Sequence, residues 1–245
     1  MNAKTLISVG LLVMTWSAPG TAGQTSNAAA GSERFEVTSI KAVRPTLVDT
    51  IAALQRGDPK GAKTTFDAFD SAWNGIEVYI NTRSPELYGA IETNYEAKIM
   101  KALDAPPPDL ASVVADARAM LGKFDEAVTL VQREAPLSPL YDDIARLRIV
   151  RAHLREVNPA LKSSDFAKAR TSFDAFNEKW DSIEDLVKAR SREAYDGIEK
   201  GMIDIERALM ENTPDVQRVT ALVASVMDKY NGVVAQITRE ARNAK

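Results

Sequence analysis

Asp58–Glu77 reads DPKGAKTTFDAFDSAWNGIE, and Asp165–Glu184 reads DFAKARTSFDAFNEKWDSIE. Laid over one another at a spacing of 107, ten of their twenty positions are identical. The match runs on as Tyr88, Ile91 and Glu92 over Tyr195, Ile198 and Glu199. After a slip of one residue it resumes as Pro108–Asp109 over Pro214–Asp215 and Lys123–Phe124 over Lys229–Tyr230. Two copies of about 100 residues are each of domain size, longer than the unit of a solenoid.

The apolar period inside each copy is helical. Phe66, Phe69, Trp73, Ile76 and Ile80 step by three and four, as do Phe173, Phe176, Trp180, Ile183 and Val187, which is the seam of a packed helix. Tyr195, Ile198, Met202, Ile205 and Leu209 keep the same rhythm, and no stretch alternates with a period of two. Ser84–Pro85, the break at Asp104–Pro108 and Asp109 supply helix starts, because Ser and Asp satisfy free first-turn amides and Pro is tolerated there. The first copy therefore predicts helices at about 36–56, 59–82, 85–104 and 109–133. The second predicts them at about 140–157, 165–189, 192–211 and 214–242, with Pro45 expected to kink or split the first helix. The fold expected is all-α, a tandem duplication of two up-down-up-down four-helix bundles over residues 36–134 and 139–243.

Residues 1–23 read as a cleavable signal peptide, with Lys4 as the positive flank, an apolar run from Thr5 to Ala18 and small residues at Gly20–Gly23. Residues 24–35 read as a disordered Gln/Ser/Ala/Gly leader. Export to a periplasm is the localisation expected.

Composition narrows the chemistry. The 245 residues are 45% hydrophobic and 27% charged, as in soluble globular proteins. Zero Cys excludes disulfides, thiolate metal sites and cysteine nucleophiles, and a single His excludes multi-histidine centres. A net charge of −3 gives no field to gather nucleic acid. No phosphate loop, hydrolase elbow, zinc-protease motif or calcium loop is present, so no enzyme is expected.

What remains is carboxylate chemistry. Glu77 and Glu92, and in the second copy Glu184 and Glu199, each follow a seam isoleucine, and each pair straddles a hairpin turn symmetrically, so its members should sit at one height. Two carboxylates held together need a shared proton, a basic partner or a cation. All four are the candidate metal ligands. Glu184 has Lys188 four residues on, whereas Glu92 has Glu96, which makes the first copy the better cation site. His153 and Glu156 share a helix face, a weaker pattern. Trp73, Trp180 and the Phe pairs are expected in the core, as are Tyr88 and Tyr195.

The string from Gly57–Asp58 through Phe66, Trp73, Ile76–Glu77, Ser84–Pro85, Tyr88, Ile91–Glu92 and Ala102–Leu103 resembles the extracytoplasmic helical region associated with high-affinity iron permeases. More distantly, the chain is similar to imelysin-like periplasmic iron-uptake proteins. The resemblance spans about residues 40–240 and implies an all-helical periplasmic protein that handles iron, as Fe²⁺ or Fe³⁺, or another hard divalent cation, for a membrane iron permease or oxidase. The multi-span permease itself is absent. The imelysin pattern places a Gly two residues before the His of its His-x-x-Glu motif; here that residue is Arg151, so that metal site is not carried onto His153 and Glu156. The alternative expectation is a non-catalytic helical interaction or scaffold module of the cell envelope without a metal.

Overall fold

A computed structural model describes residues 33–105 and 108–244. The stretch read as a signal peptide, and most of the stretch read as a leader, lie outside the described residues. The chain order is α1 (Phe35–Gln55), α2 (Pro59–Arg83), α3 (Pro85–Gly89), a π-helical segment (Ala90–Glu96), α4 (Ala97–Leu103), α5 (Leu110–Arg133) and α6 (Pro139–Arg155). It continues with α7 (Val157–Lys162), α8 (Phe166–Trp180), α9 (Glu184–Arg190), α10 (Arg192–Leu209) and α11 (Val216–Asn243). The described residues are all-helical. None of their helices is long and apolar enough to cross a membrane.

The starts at Ser84 and Asp109 follow the chemistry read from the sequence, and four further starts use the same device. Asp58, Asp109, Asp165 and Asp215 each accept a backbone N–H three residues on, and Ser84 and Ser191 do the same at the central turns. Each such cap is worth about 1 kcal/mol. The turn before α2 recurs before α8. Gly57 and Ser164 both take positive φ, 72° and 59°. In both, the following Asp N–H bonds back to an alanine carbonyl, Ala53 in one copy and Ala160 in the other. That is the backbone closure of a Schellman-type helix end.

Four boundaries differ from the sequence reading. Helix α1 runs unbroken through Pro45, which lies on its exposed side, where water can solvate the carbonyl that loses its donor. The corresponding helix of the second copy is the one that breaks, at Glu156, because Pro159 has no N–H to give Arg155. The helix expected over 165–189 is interrupted at Asp181–Ile183. Phe35, assigned to the leader, already opens α1, and Arg34 before it donates to the carbonyls of Gln132 (3.1 Å) and Glu134 (2.8 Å) at the end of α5.

Every seam residue of α2 and of α8–α9 named from the sequence is buried, in a single hydrophobic cluster that runs through both copies. Helix α1 packs on α2 and α5, α2 packs on α6, and α6 packs on α8 and α11. The α2–α6 crossing is close because Gly75 lacks a side chain: a Cβ there would lie 2.6 Å from Ile149 Cγ1. Tyr79 on α2 donates to Asp142 on α6 (2.8 Å), which ties the two copies beside that crossing.

Candidate functional site

The four candidate glutamates are placed by aromatic neighbours. Trp73 and Trp180 are buried in the seam, where an indole N–H needs an acceptor. Trp73 Nε1 donates to Glu92 at 2.8 Å, and Trp180 Nε1 donates to Glu199. Each indole also stacks on the tyrosine of the next helix, Tyr88 or Tyr195, with ring centroids 6.3 Å apart in both copies. Tyr88 and Tyr195 pack against the core while remaining half-buried. The repeated Glu at this position is thus the acceptor for the repeated Trp.

The other two glutamates have different partners. Glu77 accepts from Arg148 on α6 at 2.9 Å, and Glu184 accepts from the Tyr195 hydroxyl at 3.1 Å. Burial pushes the Glu77 carboxyl above its ordinary range, Arg148 opposes this, and the charge of Glu92 adds to it. Glu77 and Glu92 therefore feel one another, as their symmetry about the turn predicts, yet each is bonded to its own donor.

The first copy adds two acids that the second lacks. Ile91 and Ile198 match at a spacing of 107, but Ile99 and Leu103 match Ile205 and Leu209 at 106. The extra residue of the first copy falls in the π-helical segment, whose wider turn absorbs it. Glu96, at the end of that segment, is 4% exposed, while Met202 fills the matching place on α10 and is 6% exposed. Asp70 and Glu92 flank Glu96, and Asn74 donates to Asp70 at 3.1 Å. Burial, then the bonds and charges of Asp70 and Glu92, push the Glu96 carboxyl up to about 11. Glu96 is consequently an acid that keeps its proton at neutral pH. Its Oε2 is buried without a donor, as expected of a carboxyl that must itself supply the hydrogen. Tyr88 borders the same cluster, its hydroxyl pushed up to about 12 by burial and by Glu77, Glu92 and Glu96.

Asp70 and Arg148 carried no signal in the sequence reading, and Glu96 entered only as added charge. The one-residue slip between the copies was the available pointer to Glu96. Among the described residues, no group of three or more His, Cys, Asp or Glu side chains is arranged to hold a metal ion. The carboxyls form a chain, with Glu96 in the middle.

His153 and Glu156 line a separate groove of about 560 Å³ whose walls come from α1, α2 and α6. Ser71 donates to Glu156 at 3.2 Å, and Lys168 lies 3.6 Å from it. Burial, and then the charge of Lys179, push the His153 imidazole down, against the opposing charge of Glu156. No known family model matches the chain, and neither characterised proteins nor solved structures give a significant match.

Proposed function

We propose that the chain is a non-enzymatic cation-binding protein of the periplasm, exported by residues 1–23. In this reading it holds iron, as Fe²⁺ or Fe³⁺, or another hard divalent cation for a membrane iron permease or oxidase. The fold is read as a tandem duplication of two up-down-up-down four-helix bundles, 36–134 and 139–243. The paired caps, the paired positive-φ turns and the paired Trp–Glu bonds support that reading.

The observation that carries the function is Glu96. A buried carboxyl between two others is tolerable with a proton, or with a cation in the proton's place. The second copy fills the same position with Met202, so packing alone does not call for an acid. Of the sites first considered, Glu92 remains a candidate ligand; Asp70 and Glu96 would join it only by closing from the chain they form now, since the three are not arranged to hold a metal ion as they stand. Glu77 has its charge answered by Arg148, and Glu184 and Glu199 stand without the two added acids. All three additional or retained groups offer oxygen donors, which suits a hard cation.

The test is thermal unfolding of the metal-stripped chain with Fe²⁺ under argon, Fe³⁺ as a chelate, Mn²⁺ and Ca²⁺, alongside a Glu92→Gln/Glu96→Gln variant. At 100 times its dissociation constant a ligand adds about 2.7 kcal/mol, on the order of 5–10 °C for a domain of this size. A selective shift, accompanied by proton release and lost in the variant, is expected. The absence of a shift with every cation overturns the reading. It favours the second one, a ligand-free helical interaction module, for which the four glutamates serve as acceptors for Trp73, Arg148, Tyr195 and Trp180.

A further inference from the structure

The groove between α6 and α11 is lined by four arginines. Arg148 and Arg151 stand one helical turn apart on α6, and Arg239 and Arg242 come from α11, with Asn231 and Thr238 of α11 also in the lining. No Asp or Glu lines this groove of about 440 Å³. Among the described residues, Arg151, Arg239 and Arg242 form no salt bridge, and the Nε atoms of Arg148 and Arg151 are buried without an acceptor. Arg151 reaches only the amide oxygen of Asn231, at 2.6 Å. Carboxylates on neighbouring helices are engaged: Glu77 takes Arg148, and Glu240 takes Arg190 at 3.0 Å.

Like charges gathered on one wall repel, and desolvating a guanidinium without an acceptor costs more than leaving it in water. The cluster raises the energy of the free protein, and the partner it lacks is an anion. Planar guanidinium forks match the oxygens of phosphate and carboxylate groups and grip them with paired N–H bonds. Val234 and Ala235 of α11 supply the apolar part of the lining. Burial and the charges of Arg148 and Arg155 also push the Arg151 guanidinium down, against smaller opposing contributions from Tyr230 and Glu77.

We propose that this groove binds a multiply charged oxyanion, held through its oxygens by Arg151, Arg239 and Arg242, with Arg148 bridging to Glu77. The oxyanion is either a free small molecule or the headgroup of an anionic lipid. The site is independent of the cation reading, since it uses neither Glu92 nor Glu96.

Calorimetric titration of the purified chain with sodium pyrophosphate and with citrate, against chloride at the same ionic strength, tests the free-ligand source. Co-sedimentation with phosphatidylcholine vesicles containing phosphatidic acid tests the lipid source. Saturable binding in either arm is expected, weakened about tenfold or more in Arg239→Gln/Arg242→Gln, which is about 1.4 kcal/mol or more. Those two side chains are exposed, so the unliganded variant should melt within about 2 °C of the parent. A buried-side variant, Arg151→Gln, should weaken binding as well. Lack of saturable binding in both arms, or binding that the double variant retains in full, overturns the proposal.

Discussion

Ser164 repeats the left-handed backbone of Gly57, at a φ of 59° against 72°. A serine there bears the Cβ crowding that glycine avoids, at a cost of about 1–2 kcal/mol. Ser164→Gly is therefore expected to stabilise the protein by about 1 kcal/mol, seen as a rise of roughly 2–4 °C in melting temperature. Gly57→Ala should shift it downward by a similar amount. An unchanged melting point in both variants would show that the turn does not carry this strain.

Glu96 gives stability a pH dependence of defined sign. Its folded carboxyl titrates well above its unfolded value, so between the two the native state holds a proton that the unfolded chain has lost. Its contribution is fully present below the unfolded value, near pH 4.5, and is lost as pH rises towards 11. The slope is at most about 1.4 kcal/mol per pH unit from this one group. Glu96→Gln keeps a donor of the same shape and removes the titration. Urea melts from pH 5 to pH 9 should show the variant gaining on the parent as pH rises, with Asp70 and Glu92 as the charges that act on the site. A parallel pair of curves would place Glu96 in a solvated, ionised state instead.

The Trp–Glu bonds predict a contrast between two substitutions at one position. Glu92→Ala and Glu199→Ala each leave a buried indole N–H without an acceptor and should cost about 1–3 kcal/mol. Glu92→Gln and Glu199→Gln retain a carbonyl oxygen for the indole and should cost less than about 1 kcal/mol. Chemical denaturation, followed by the fluorescence of Trp73 and Trp180, measures both.

Gly75 and Ile149 should be energetically coupled. Gly75→Val forces the α2–α6 crossing apart and should cost about 1–3 kcal/mol. Adding Ile149→Ala removes the atom it would strike, so the double variant should be more stable than the sum of the two single changes predicts. Additive effects in that cycle would mean the helices are not held by this contact.

The helical seam and the caps at Ser84 and Asp109 were legible because they depend on neighbours in sequence: Ser84 with Leu87, Asp109 with Ser112, and the three-four spacing of Phe66, Phe69 and Trp73. The partners of the glutamates were not. The bond from Arg148 to Glu77 spans 71 residues, and no local pattern marks it. Trp73 and Glu92 were each identified, one as core and one as ligand. What joins them is the need of a buried N–H for an acceptor, which burial alone makes visible. The break at Pro159 and the continuity at Pro45 show a further limit. Both prolines remove a donor, and the surroundings of each helix decide whether the chain turns.

The π-helical turn at Ala90–Glu96 also bears on how the two copies came to differ. A change of one codon in length would ordinarily rotate everything downstream by about 100°, sending Ile99 and Leu103 off the core. Confined to a single wide turn, it leaves those two side chains in the core, where Ile205 and Leu209 also lie. The copies can thus diverge in chemistry at one spot without renegotiating the packing that they inherited in common.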